Sequence, residues 1–238
     1  MTAKKSTINN IVQAYNLLVR HVDEDARSEN TLRAYGGVVR SAKGALVEGI
    51  AKNIIEIAWA NIGGKSQRLS FEKKPILIPI RHSYINKIKD VAVRKHIRKN
   101  MRNYIYKFTT DTHVSIDGTL VIGVECKAYT ENAMLKRIAV DSMFLKHAHK
   151  NAQNVLLQLE SQLGGDYGNL DKKVHYGSYP THTILSYFDN VNLHIITLLE
   201  SERKVDKPIH KKKFFKKLER GAVKRATKIF EKLLTVYL

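Results

Sequence analysis

Asp117-Gly118 separates two strand-like runs, Tyr104–Ile116 and Thr119–Tyr129, and constrains the fold of this chain more than any other feature. An Asp-Gly pair between such runs favours a two-residue hairpin turn whose central residues take positive φ. Side chains alternate along a strand, so Glu125 and Lys127 share one face of the second run and Val124, Cys126 and Ala128 the other. The residues before them, Val121-Ile122-Gly123-Val124, are apolar, which predicts a buried strand ending in two opposite charges. Burying charge is costly unless the groups are paired or bind something.

Counting outward from the turn supplies a third group. Ile116 pairs with Thr119, and an unbroken register then sets Thr110 opposite Glu125 and Asp111 opposite Val124. Asp111 lies beside Glu125, but strict alternation aims it at the other face. A bulge or the sheet's twist must turn its carboxylate toward Glu125. Asp117 is the rival acid. It stands eight residues from Glu125, about 26 Å on a strand rising roughly 3.3 Å per residue, too far to share a metal ion unless the hairpin is broken. Two carboxylates and a lysine at a strand end suit metal-assisted phosphodiester hydrolysis. Hard oxygen ligands hold Mg2+ while leaving positions for a phosphate oxygen and the attacking water. The lysine can orient that water and stabilise the pentacovalent phosphate.

Charge names the partner class. Forty-one Lys and Arg against 22 Asp and Glu leave a formal net charge of +19. The resulting self-repulsion is relieved by a polyanion, and nucleic acid is the usual one. The 43% hydrophobic content fits a globular chain. Cys126 is the only cysteine, which excludes a disulfide framework and a zinc cluster. No apolar run reaches the roughly 20 residues of a membrane helix, and no signal-like segment follows Met1–Thr7. A cytoplasmic protein without a membrane association is expected.

The fold class expected is α/β, a mixed central sheet flanked by helices. Helices are predicted over Ile8–Val22 (Ile11, Tyr15, Leu18, Val19 and Val22 inward) and Ser41–Asn61 (Leu46, Ile50, Ile54 and Ile57 inward), the second stopped by Gly63-Gly64. Pro75–Ile80 reads as an edge strand because of its prolines, and the basic stretch Ile85–Arg102 as a helix. After the hairpin come a long helix over Glu131–Leu163, a loop over Asp166–Pro180, strands at Ile184–Phe188 and Leu193–Leu199, the latter central, and a final helix after the basic stretch Arg203–Lys217. One nuclease-like domain of 1–238 is expected, with N-terminal helices at about 8–62, a hairpin-helix-strand core at about 104–200 and a basic helical region at about 203–238.

Asp111…Glu125-Cys126-Lys127 on a hairpin followed by a helix resembles the PD-(D/E)XK nuclease motif. Within that superfamily the chain is most similar to type II restriction endonucleases, over about Ser41–Lys211, with Glu125–Glu131 and Lys207-Pro208-Ile209-His210 carrying the likeness. Thr110 stands where the family often has proline. The resemblance implies a Mg2+-dependent, site-specific cut of double-stranded DNA by a homodimer, with Asp111, Glu125 and Lys127 catalytic. It also implies a helical glutamate at the metal, for which Glu48 is the candidate, although Glu48 lies off the apolar stripe of its helix; Glu56 is weaker. Alternatives are a structure-specific repair or recombination nuclease and a non-catalytic basic nucleic-acid-binding protein. A pure binder, however, has no use for buried acids beside a polyanion.

Candidate DNA contacts are Lys136 and Arg137 after the motif, and the cluster Arg203, Lys207, His210, Lys211, Lys212 and Lys213, each weighed against plain solvation. Tyr176, Tyr179 and His182 are exposed-loop candidates for base contact. His147 and His149 sit at i, i+2 and face apart, so they do not make a metal pair. Cys126 is expected to pack as a small buried hydrophobe.

Overall fold

A computed structural model describes residues 7–27, 32–165, 177–209 and 211–238. Its main sheet has five strands in the order β1-β4-β5-β6-β7. β1 (Leu69–Glu72), β4 (Thr112–Ile116) and β5 (Thr119–Glu131) are antiparallel neighbours, whereas β5, β6 (Gln153–Gln162) and β7 (Leu193–Thr197) run parallel. The sheet is therefore mixed, as expected, and β5 joins its two halves.

Helices cover both faces. α1 (Ile8–Arg27), α2 (Leu32–Asn61) and α7 (Arg220–Leu234) bury Tyr15, Ile54, Trp59, Val223 and Phe230 against Val124, Cys126, Leu157 and Leu159. On the other side α5 (Asn132–Ala148) and α6 (Tyr179–Ser186) set Leu135, Ile138, Ile184 and Leu185 against Leu156 and Leu163. A separate antiparallel pair, β2 (Ile76–Pro79) and β3 (Ile105–Phe108), packs Ile76, Ile78 and Phe108 on Leu145 of α5. Between β2 and β3 lie α3 (His82–Lys87) and α4 (Val91–Lys99). Among the described residues no helix is long and apolar enough to cross a membrane.

The first two helices form as their periodicity predicts, with shifts. Ile11, Tyr15 and Val19 are buried, while Leu18 is 50% exposed. α2 begins at Leu32 rather than Ser41, and its buried stripe is Val47, Ile50, Ala51, Ile54, Ile55, Ala58 and Trp59, with Leu46 and Ile57 at its margins. The glycine pair ends α2. Gly63 takes φ 88°, the Gly64 N–H donates to Trp59 O at 2.9 Å, and the Trp59 indole Nε1–H donates to Lys65 O at 2.9 Å.

Four expectations need correction. Glu131–Leu163 is not one helix: it breaks after Ala148 and continues as β6. Residues Asn154–Ser161 are buried on both faces of a parallel strand, so they form a continuous run in which helix and strand periods cannot be told apart. Ile184–Phe188 is not a strand but spans the end of α6, whose start is marked by the Ser178 hydroxyl accepting from Thr181 N–H and by Pro180 in the first turn. Of Leu193–Leu199 only Leu193–Thr197 is strand, β7, and it lies at the sheet's edge, not its centre. Ile85–Arg102 splits at Ile88–Asp90, where the Asp90 carboxylate caps α4 by accepting from Val93 N–H at 2.9 Å.

Gly63 is the one that takes positive φ, whereas Gly64 is required by space. A Cβ there would lie 2.1 Å from the buried Trp59 ring. Gly64→Ala should destabilise the protein by about 1–3 kcal/mol through overpacking, a drop in melting temperature of roughly 2–4 °C per kcal/mol for a chain of this size, which a thermal melt would measure.

Candidate active site

The β4–β5 hairpin keeps its turn and slips once. Asp117 (φ 49°) and Gly118 (φ 76°) form the two-residue turn, with Ile116 opposite Thr119 and Ser115 opposite Leu120. Val114 then pairs with Ile122, which leaves Val121 as the extra residue of a bulge, and Thr112 faces Val124. The shift carried one place further brings Asp111 level with Glu125. The long first run, Tyr104–Ile116, is correspondingly not one strand: β3 ends at Phe108, and Thr109–Asp111 is an irregular bend. That bend is held locally. Thr110 N–H donates to His113 Nε2 at 3.3 Å, and the Thr110 hydroxyl donates to Thr112 O at 3.2 Å. Burial, with His149 nearby, lowers the His113 pKa, which favours the neutral ring whose lone pair accepts that bond.

Three side chains meet at the bend. The Lys127 ammonium is 2.5 Å from Asp111 Oδ2 and 2.7 Å from Glu125 Oε2, and the Cys126 backbone N–H donates to the same Asp111 oxygen at 2.8 Å. These bonds use one oxygen of each carboxylate, so Asp111 Oδ1 and Glu125 Oε1 are the atoms a cation could take. The side chains of Asp111, Glu125 and Lys127 are 27%, 11% and 24% exposed, a recess still open to solvent.

Burial pushes the Glu125 carboxyl up to about 7; Lys127 pulls against this, and Asp111 and Asp141 add to the push. Burial would lower Lys127, but Glu125 and Asp111 outweigh it and hold the ammonium form above its usual range. Asp141 of α5 was not anticipated. Burial raises its pKa against the pull of Arg137 and Lys127, and its carboxylate pairs with Arg137 at 3.8 Å. It lies on the helix face turned toward the site, but that placement requires the α5–β5 packing and no local spacing signals it. Gln158 was also missed. It faces Lys127 in the β5–β6 register, is fully buried, and donates to Thr197 Oγ1 at 2.9 Å. Its position became readable only once β6 was a strand.

The other sequence candidates are spread more widely. Asp117 is at the far end of the hairpin, paired with Arg68 at 2.9 Å. Glu48 meets Lys73 at 3.5 Å rather than the Asp111–Glu125–Lys127 group. Cys126 is buried against α2, and desolvation drives its thiol pKa up, as an inert core residue requires. Lys136 and Arg137 are exposed on α5. The Arg203 guanidinium lies 3.7 Å from the Tyr129 ring centroid and donates to Gln162 Oε1. Lys207, Lys212 and Lys213 are exposed and Lys211 is half-buried; His210 and Tyr176 lie outside the described residues. Tyr179 is 93% exposed at the start of α6, and His182 is on the same helix.

The donor set fits a hard divalent cation. Among the described residues no group of three or more His, Cys, Asp or Glu is arranged to hold an ion, yet Mg2+ is commonly bound through one or two carboxylates with waters and phosphate completing the shell. Asp111, Glu125 and Asp141 stand against Lys127 here, with Arg137 beside Asp141, in a chain whose formal net charge is +19 overall. Burial is the first cause of the raised Glu125 pKa, with Asp111 and Asp141 adding to it against the pull of Lys127.

The mixed sheet, the hairpin and the Asp111…Glu125-Cys126-Lys127 group have the arrangement that the PD-(D/E)XK nuclease resemblance implies. No family model matches the chain. It is 47% identical over 222 residues to the type II restriction enzyme DdeI of Desulfomicrobium norvegicum, with 91% of each chain covered. Among solved structures, the native BbvCI A2B2 tetramer at low resolution is similar with a TM-score of 0.38 and 8% identity, over 97% of this chain and 88% of that one. The chain belongs to the type II restriction enzyme family.

The two aspartates should separate in a cleavage assay. Asp117→Asn keeps a turn-compatible residue and should retain most activity. Asp111→Asn replaces a carboxylate with a neutral amide and should lose nearly all. The opposite ranking would place the metal at the turn end of the hairpin.

Proposed function

We propose that this protein is a Mg2+-dependent, site-specific endonuclease that hydrolyses both strands of double-stranded DNA. Asp111 and Glu125 are the metal ligands and Lys127 is the catalytic lysine. The observation that carries the proposal is the convergence of both carboxylates on one point, within 2.7 Å of the Lys127 ammonium, in a strongly basic member of the restriction enzyme family. The metal would supply Lewis-acid activation of water and neutralise charge developing on the phosphate.

The chain's own groups have distinct tasks. Cys126 N–H and Lys127 fix Asp111 Oδ2, which leaves its second oxygen for a cation. Lys127, kept protonated by its two acidic neighbours, orients the attacking water and stabilises the pentacovalent phosphate. Water adds to phosphorus and gives up a proton to solvent as the bond to the leaving ester oxygen breaks, and that oxygen takes up a proton from solvent. Glu48, the further candidate ligand, is paired with Lys73 at 3.5 Å in this structure.

Lys136 and Arg137, with Lys207, His210 and Lys211–Lys213, are proposed phosphate contacts, and Arg203 supports them from its seat on Tyr129. The whole chain acts as one nuclease domain. Cutting both strands of a duplex takes two active sites, for which a homodimer is the simplest assembly.

Glu125→Ala and Asp111→Ala should each lower the cleavage rate about a hundredfold or more while leaving the circular dichroism spectrum unchanged. Chelation should abolish cleavage, and added Mg2+ should restore it. Lys127→Ala should still bind duplex DNA in a gel-shift assay while failing to cut. Normal cutting by Glu125→Ala in Mg2+ would reject the assignment. Random cutting at junctions or flaps, without fixed fragments from plasmid DNA, would point to a repair nuclease instead.

A further inference from the structure

Between β2 and β3 the chain leaves the main body as α3 and α4, joined by Ile88–Asp90 and followed by a 3-10 turn at Met101–Asn103. Little of this insert is inward-facing: Ile85 and Ile97 are its buried residues. Over His82–Asn103 seven Lys and Arg (Lys87, Lys89, Arg94, Lys95, Arg98, Lys99 and Arg102) face a single acid, Asp90. Asp90 is spent as the cap of α4. Two of the cations brace the helices: Arg94 donates to Ile88 O and Arg98 to Asn86 Oδ1, each at 2.8 Å. The other five, Lys87, Lys89, Lys95, Lys99 and Arg102, are exposed, and among the described residues none meets a carboxylate.

The outer face of α4 is not an ordinary solvated surface. Ala92, Lys95, His96 and Lys99 follow i, i+3, i+4, i+7 spacing and all are exposed, opposite the half-buried Arg94 and buried Ile97. Val91 and Val93, 54% and 46% exposed, flank them. Small and apolar side chains allow close approach of a helix, and Lys and His supply donors. This combination suits the edge pattern and thymine methyl groups of a DNA major groove, which admits an α-helix. The insert is also rooted next to the cutting groups. β3 leads out of it, and Asp111 follows Phe108 by three residues, with Phe108 clamped on Leu145.

Resting on the endonuclease reading above, we propose that this two-helix insert is the DNA-reading arm of the protein. α4 lies in the major groove of the duplex that is cut, Lys95, His96 and Lys99 face base edges, and Lys87, Lys89 and Arg102 hold the flanking phosphates.

The test uses the full chain with metal chelated. Two duplex oligonucleotides serve as probes, one centred on a site the wild-type protein cuts in plasmid DNA and one with that site scrambled. Affinity for both is measured across a salt series. In Lys87→Ala/Lys89→Ala/Arg102→Ala, affinity should fall alike for both duplexes, and the slope of log affinity against log salt should become shallower by about 0.9 for each phosphate no longer neutralised. In Lys95→Ala/His96→Ala/Lys99→Ala, affinity for the cognate duplex should fall about tenfold or more relative to the scrambled one. All six residues are exposed, and melting curves confirm that each variant is folded; Lys95→Arg and His96→Gln, which keep donors, should alter the fragment pattern with Mg2+ restored. If the wild type cuts and neither the slope nor the cognate preference moves, the arm is overturned and the endonuclease reading stands. An equal fall on both duplexes in the α4 variant would overturn groove reading. A wild type that cuts no duplex would overturn both.

Discussion

One unpaired residue, Val121, sets the geometry of the site. An unslipped β4–β5 ladder would put Asp111 opposite Val124, with its carboxylate on the side of the sheet packed by α2. The bulge moves the β4 end by one place, and because side chains alternate, one place is a change of face. Asp111 then reaches Cys126 N–H and Lys127 across the strand rather than the apolar layer behind it. Val121 itself is 2% exposed and packs in the main core, so core packing holds the slip in place. The bend at Thr109–Asp111, tied through His113, extends the same displacement to the loop that carries the acid.

The parts of this arrangement that were legible in sequence share a physical basis: each is local. Asp117-Gly118 encodes its turn through positive φ, and Glu125 and Lys127 encode their shared face through strand alternation. The need for a bulge could be inferred, because Asp111 could not otherwise meet Glu125, but its position at Val121 could not, since nothing distinguishes that valine from its neighbours. β6 was illegible for a different reason. Val155-Leu156-Leu157 and Leu159 are buried on both sides, so neither alternation nor helical periodicity survives, and the helix before it extends the wrong pattern. With β6 misread, Gln158 could not be placed beside Lys127, nor could Leu193–Thr197 be ordered at the sheet's edge. Asp141 reaches the site through tertiary packing, which no i, i+4 pattern encodes.

Stability alone gives no reason to keep these charges. A partly buried Lys between two carboxylates is often replaceable by apolar residues at no cost, since desolvation offsets most of the Coulomb gain. Here the desolvation is visible in the raised pKa of Glu125, which Lys127 fails to cancel. A second cation would favour the charged form of both acids, and its binding energy would be coupled to theirs. The chain as a whole carries 41 Lys and Arg, which favour a polyanion but cannot substitute for that cation, because side-chain ammonium groups offer no open coordination positions for water. On the proposed reading, the local acids and the global excess of base would serve different steps, metal capture and DNA capture.

The topology keeps those steps mechanically connected. β5 belongs to both halves of the sheet: on one side it pairs with β4, which brings Asp111, and on the other with β6, which brings Gln158 opposite Lys127. Glu125 and Lys127 thus stand on the most constrained strand, flanked on both sides by hydrogen-bonded neighbours and packed by α2 and α5. Groups that must hold a metal within tenths of an ångström benefit from such a platform. The basic elements lie outside it, on the α3–α4 insert between β2 and β3 and on the segment from Arg203 to Lys217 that follows β7. Both are joined to the platform by short covalent paths, Phe108 to Asp111 on one side and Thr197 to Arg203 on the other. On the proposed reading, DNA held by either element would be coupled through these short paths to the strands that carry Asp111 and Glu125.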